Sequence, residues 1–320
     1  MDKNPFKFPP PAGFQPLNGA NVKPETVIVR PDQFVGVTTY PGDGTSVVVS
    51  DYQFKPDFVW IKGYTDPDRH GLYDTVRGAT KRLQSSENNA EDTQNGVMSF
   101  DDKGFSIGNY AETNGSGRGY VAWCWKAGGN SNTFNVDDVG YASAAAAGLD
   151  GGNITPTGSS VGTKQGFSII KWTAPNPQNN SATIPHGLTQ KPTFWIVKST
   201  TRSADWIVYT QQLDGSLDFG RLNTTASAGF AGSSATVPTA TTFGTYGDDI
   251  NYAGATQIAY LWHDVPGLQK FGTFEGNGNA DGPFVELGFR PAIIWMKNMD
   301  SSTFSGNWVI YDNKRDTFNG

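Results

Sequence analysis

The chain has 320 residues, with 39 Gly, 19 Pro, a single Cys and a formal charge of -6 from 24 Lys+Arg against 30 Asp+Glu. That acidic excess argues against a phosphate backbone held by general electrostatics, so no nucleic-acid partner is expected. The lone Cys124 excludes an intrachain disulfide and a cysteine-built metal or haem site, and no stretch reaches the ~18 apolar residues of a membrane span.

Charged residues make up 17% of the chain and aromatics 13%. No window places apolar residues at helical spacing, while short apolar runs alternate with Gly, Asn, Ser and Thr. This pattern predicts an all-β protein of tandem β-sandwich, jelly-roll-like repeat modules.

Residues 1–33 contain "PFKFPPPAGFQP" and read as an extended, Pro-rich anchoring arm that has no core of its own. Its anchoring candidates are Phe6, Phe8, Pro9, Pro10 and Phe14, aromatic and proline pegs suited to docking on another chain. The start also lacks the apolar run of a signal peptide.

Next comes a repeat. "KPDFVWIK" at 55–62 returns as "KPTFWIVK" at 191–198 and "RPAIIWMK" at 290–297. Tyr73 follows Lys55 by 18 residues and Tyr209 follows Lys191 by the same 18, while Trp125 and Trp262 lie 70 and 71 residues after those lysines. Such spacing defines modules at 34–129 and 166–267, joined by a linker at 130–165, with an incomplete third copy at 268–320. The third copy lacks counterparts of "GFSIG" and "YVAWCW", so the chain is expected to continue or to be completed in trans.

Within the first module, strands are predicted near 34–40, 45–50, 56–63, 70–76, 81–85, 97–100, 104–108 and 119–127, each Lys/Arg-Pro pair beginning a strand. In "YVAWCWKAG" the period of two puts Val121, Trp123 and Trp125 on one face and Ala122, Cys124 and Lys126 on the other. The bulky face is expected to be the core, and the copies to string into a rod.

The stretches "PDFVWIKGYTDPDRHGLYDTVRGATKRLQSSENNAED", "GYVAWCWKAGG" and "GNWVIYDNKRDTFN" resemble a poorly characterised repeat family of virion proteins from tailed phages of marine bacteria. That resemblance implies a tail fibre, spike or other appendage, attached through its N-terminus to tail proteins such as an adaptor, nozzle or baseplate. It further implies a homo-oligomer, trimeric or otherwise, that is made in the host cytoplasm, resides in the virion and meets a host surface glycan or protein. Receptor contact is assigned to the loop residues Tyr64, Arg69 and Arg118.

No catalytic residue, cofactor or metal is expected. The three histidines fall in different contexts, and "DPDRH" at 66–70 reads as a polar loop ahead of a metal site. Acidic doublets at 101–102, 137–138 and 248–249 read as turns, although a polysaccharide depolymerase would need two such carboxylates ~5–9.5 Å apart. "VRGATKRLQSS" gathers Arg77, Lys81 and Arg82, either as a hydrated crossing or as a contact for an acidic neighbour. The competing functions are a glycan-degrading tailspike and a capsid decoration or head fibre.

Overall fold

A proline inside a sheet removes a ladder donor, so each Lys/Arg-Pro pair must lie at or outside a strand end. The computed structural model, which describes residues 28–175, 182–225, 231–232, 236–298 and 306–315, places it outside. Strands open at Phe58, Phe194 and Ile293, two residues after Pro56, Pro192 and Pro291. The residue between carries the first cross-strand bond: Asp57 N–H donates to Trp125 O at 2.8 Å and Thr193 N–H to Trp262 O at 2.7 Å. The proline thus precedes the strand it was expected to begin.

In chain order the first copy comprises β1 (Val35–Pro41), β2 (Val47–Val49), β3 (Phe58–Gly63), β4 (Gly71–Asp74), β5 (Lys81–Arg82), β6 (Asp92–Thr93), β7 (Val97–Asp101), β8 (Gly104–Ile107), the short helix α1 (Ala111–Asn114) and β9 (Gly119–Trp125). Its main antiparallel sheet runs β1-β9-β3-β4, and a second runs β2-β8-β7. Between them lies a core of Val59, Tyr73, Tyr120 and Cys124 from the main sheet and Val49, Phe105 and Ile107 from the other.

Next follow β10 (Phe134–Val136), β11 (Val139–Tyr141) and β12 (Gly158–Gly162), then the second copy: β13 (Phe167–Thr173), β14 (Ile184–Pro185), β15 (Phe194–Ser199), β16 (Ile207–Thr210), β17 (Asp218–Arg221), β18 (Ala231–Gly232), β19 (Thr242–Phe243), α2 (Asp248–Asn251) and β20 (Thr256–Trp262). The order β13-β20-β15-β16 repeats β1-β9-β3-β4. Register repeats too, with Phe58 opposite Trp125 and Trp60 opposite Trp123, then Phe194 opposite Trp262 and Ile196 opposite Tyr260. A final hairpin, β21 (Ile293–Met296) and β22 (Val309–Asp312), sets Trp295 opposite Ile310 as Trp60 stands opposite Leu72.

Part of the span 130–165, expected as a linker, belongs to a sheet. β12 pairs with β13, and β10 pairs in parallel with β12 and antiparallel with β11, so these strands extend the second copy's main sheet at its edge. Asp137 and Asp138 form the two-residue turn between β10 and β11, both with positive φ (48° and 68°). That conformation suits a tight hairpin and is one Asp tolerates better than most residues.

The bulky faces do not fill each copy's own sandwich. Trp60, Val121, Trp123 and Trp125 of the first copy share one core with Phe194, Trp206, Tyr260 and Trp262 of the second, and Phe271, Trp295 and Trp308 of the third pack against it. The rings of Trp125, Trp262 and Trp295 meet with centroids 6.3, 5.6 and 5.9 Å apart. Each buried Trp removes ~150–250 Å² from water, worth about 4–6 kcal/mol before entropy is counted. The main sheets therefore pack face to face around a common aromatic centre, where separate units along a rod were expected. The smaller face, Tyr120, Ala122 and Cys124, is equally buried against the second sheet.

Candidate functional site

The loop joining β3 to β4 and the turn entering β9 meet at one end of the first copy. Tyr64 N–H donates to Gly119 O at 2.9 Å, and Gly119 N–H donates to Thr65 Oγ1 at 2.9 Å. A Cβ on Gly119 would stand 2.4 Å from the Tyr64 ring, so a glycine here lets the half-exposed ring lie across the strand end. Arg118 reaches back to Asp68 at 2.8 Å and Asp66 at 3.6 Å. Arg69 pairs with Glu87 at 2.8 Å and Glu112 at 3.6 Å.

The loop network therefore gathers Tyr64, Arg69 and Arg118 into one region, with both guanidinium groups already opposite carboxylates. Ion pairs this exposed contribute only ~0–1 kcal/mol, so a ligand with a better-placed anion can displace them at little cost. A shallow concavity of about 510 Å³ opens beside them, lined by Lys62, Asp68, Arg69, His70, Glu87 and Glu112 among others. At its base, Lys62 donates to Gly63 O and Asp66 O. Burial lowers the Lys62 pKa below the ordinary lysine value.

His70 is not a metal ligand in waiting. Its Nδ1 accepts the indole N–H of Trp60 at 2.8 Å, and burial holds its pKa near 3, so the ring is neutral. Its neighbours Asp66 and Asp68 serve Arg118. Among the described residues no group of three or more His, Cys, Asp or Glu is placed to hold a metal ion. His186 is buried, with Nδ1 accepting from Leu188 N–H at 3.0 Å. Cys124 is fully buried, and burial pushes its thiol pKa up, away from the reactive thiolate.

The two arginines of the basic cluster at 77–82 are consumed internally, while Lys81 donates to Thr93 Oγ1 at 2.9 Å on the surface. Arg77, with a side chain only 1% exposed, binds Asp74 at 2.5 Å and Glu91 at 3.2 Å and donates to the carbonyls of Leu72 and Lys81. Burial opposes its charge, but Asp74, Tyr260 and Glu91 outweigh that and raise its pKa. Arg82 is held by Asp92 and Glu112, each at 2.5 Å, and by the Tyr110 hydroxyl. Neither arginine is free for an acidic partner.

Sequence reading missed the use made of Asp74. Its Oδ1 accepts from the backbone N–H of Val76 and Arg77, and its Oδ2 accepts the Tyr260 hydroxyl of the second copy at 2.7 Å. The same clasp recurs in "YDNKR": Asp312 accepts from the N–H of Lys314 and Arg315, binds Arg315 Nε at 2.6 Å, and takes the indole N–H of Trp123 at 3.2 Å. The Tyr-Asp-x-x-Arg spacing shared by 73–77 and 311–315 was the available signal. Asp57 was also missed: fully buried, it gathers N–H groups of Ala127 and Gly129 and the hydroxyls of Thr75 and Ser160, yet burial still raises its pKa.

A family model described as a domain of unknown function (DUF7483) matches residues 30–320. The chain belongs to that family. No curated protein and no solved structure matches it. The DUF7483 match takes in both Tyr-Asp-x-x-Arg clasps and the loops bearing Tyr64, Arg69 and Arg118. The anchoring candidates Phe6, Phe8, Pro9, Pro10 and Phe14 precede it and lie outside the described residues. Among the described residues no helix is long and apolar enough to cross a membrane.

Proposed function

We propose that this protein is a structural component of a phage virion, a tail fibre or related appendage that holds its N-terminal arm against other tail proteins and presents loops to the host surface. The observation that carries the reading is the locking of three β-rich copies through one aromatic core and buried Asp clasps, with a polar loop cluster at one end. A stiff body with displaceable surface ion pairs suits repeated mechanical loading and weak, multivalent contact with a surface glycan or protein. The resemblance of the long motifs to virion repeats supports the same assignment.

Gold-labelled antibody on purified particles tests the placement: label at the tail is expected, while label confined to the capsid would overturn it in favour of a head fibre. Adsorption of purified protein to host cells tests the loops. Replacing Tyr64, Arg69 and Arg118 together by Ala is expected to lower cell binding at least tenfold with an unchanged urea midpoint. Undiminished binding would remove these residues from the contact.

A further inference from the structure

Lysine and indole N–H bonds to backbone carbonyls of another copy run in one direction. The second copy donates to the first, Trp206 Nε1 to Gln84 O at 2.8 Å and Lys198 Nζ to Asn88 O at 3.3 Å. The third donates to the second, Trp308 Nε1 to Arg221 O at 3.2 Å and Lys297 Nζ to Thr224 O at 3.4 Å. In both cases a lysine and a ring N–H grip two backbone carbonyls, four or three residues apart, of a polar segment from the preceding copy.

Sheet register identifies the matching donors of the first copy. Lys198 follows Val197, which stands opposite Ile207, and Trp206 immediately precedes Ile207. Lys297 follows Met296, opposite Val309, with Trp308 immediately before it. In the first copy Ile61 stands opposite Gly71, so the equivalent pair is Lys62 and His70.

These two residues line the open concavity of about 510 Å³. Lys62 bonds to two carbonyls of its own loop, Gly63 and Asp66, just as Lys198 bonds to Ser199 and Arg202 of its loop in addition to Asn88 of the neighbouring copy. With His70 Nδ1 accepting from Trp60, the proton of the neutral ring sits on Nε2, where it is a donor like the indole N–H of Trp206 and Trp308. Lys198 is fully buried by its neighbour, whereas Lys62 and His70 are only part-buried.

We propose that this concavity is a peptide-binding site, in which Lys62 Nζ and His70 Nε2 hold two backbone carbonyls of a polar turn rich in Ser, Asn or Thr. The occupants of the matched joints define that chemistry: "QSSEN" at 84–88 and "RLNT" at 221–224. Recognition through main-chain carbonyls makes the site tolerant of side-chain identity, with Arg69, Glu87 and Glu112 at the rim setting a preference for charge.

A synthetic peptide of residues 84–91, QSSENNAE, is the probe, titrated into the full chain while the histidine ring signals are followed by NMR. The expected result is saturable movement of the His70 Nε2–H signal, with Lys62→Met weakening binding about tenfold while leaving the thermal midpoint within a few degrees. Several outcomes would overturn the site: His70 unmoved at millimolar peptide, binding unaffected by Lys62→Met, or movement confined to His186 and His263. A His70 signal that changes on simple dilution, in step with dissociation of a self-associated chain, would instead assign the concavity to a second copy and overturn the stated occupant.

Discussion

The hairpins β3–β4 and β21–β22 share register, the Tyr-Asp-x-x-Arg clasp and an aromatic pointing to the common core, yet they differ in cover. Val59 and Tyr73 are fully buried beneath the second sheet of their copy, whereas the equivalent Ile294 and Tyr311 are 40% and 51% exposed. Hairpin geometry is thus written locally, in the Pro-strand-turn-Tyr-Asp segment, while burial is a property of neighbouring elements. The second copy adds a third case: Thr210 stands where Asp74 and Asp312 stand, and the clasp shrinks to a hydroxyl that accepts Gln212 N–H at 3.1 Å and donates to Thr193 O at 3.2 Å.

The most severe way to break this comparison is at the clasp. Asp74→Ala leaves Arg77 charged and buried, and is expected to cost about 3–5 kcal/mol in urea unfolding. Asp312→Ala should cost only about 1–2 kcal/mol, because Arg315 is 28% exposed and water can replace its partner. Equal losses would show that cover does not govern the two clasps. Tyr260→Phe, which removes one charge-assisted bond to Asp74 and leaves the ring in place, should cost about 1.5–3 kcal/mol by the same measurement.

Acid should act next. The folded pKa values of His70 and His186 lie near 3 and 4, below the ~6.5 of an unfolded histidine. Below pH ~6.5 the unfolded chain therefore binds protons that the folded chain refuses, so stability is full above that pH and falls toward pH 4 and then 3. A urea midpoint that stays level from pH 7 to 4 would contradict it, and His70→Gln should flatten part of the slope. The smallest contrast lies on the outer faces. Val59→Thr should cost about 1–3 kcal/mol by burying a hydroxyl, against less than about 0.5 kcal/mol for Ile294→Thr.

Much of the first copy was legible. Predicted strands at 34–40, 104–108 and 119–127 fall within a residue or two of β1, β8 and β9, because alternating bulky residues bounded by Gly and Asp leave few other conformations. The partner of each face was not legible. Period-two alternation separates Trp123 from Cys124 but does not say that both sides are covered, one by its own second sheet and the other by the next copy. The strands within 130–165 escaped for a related reason: "GSSVG" has almost no apolar contrast and is held by its neighbours β10 and β13. At the candidate site, loop positions showed which arginines stand at turns. Their carboxylate partners lie up to 50 positions away, a separation only folding brings together.

The bulky face of each main sheet is covered by the other copies. A hypothetical polypeptide bearing just one of these sheets would have to associate before its tryptophans left water, and concatenating the sheets in a single chain replaces that concentration-dependent encounter with an intramolecular one.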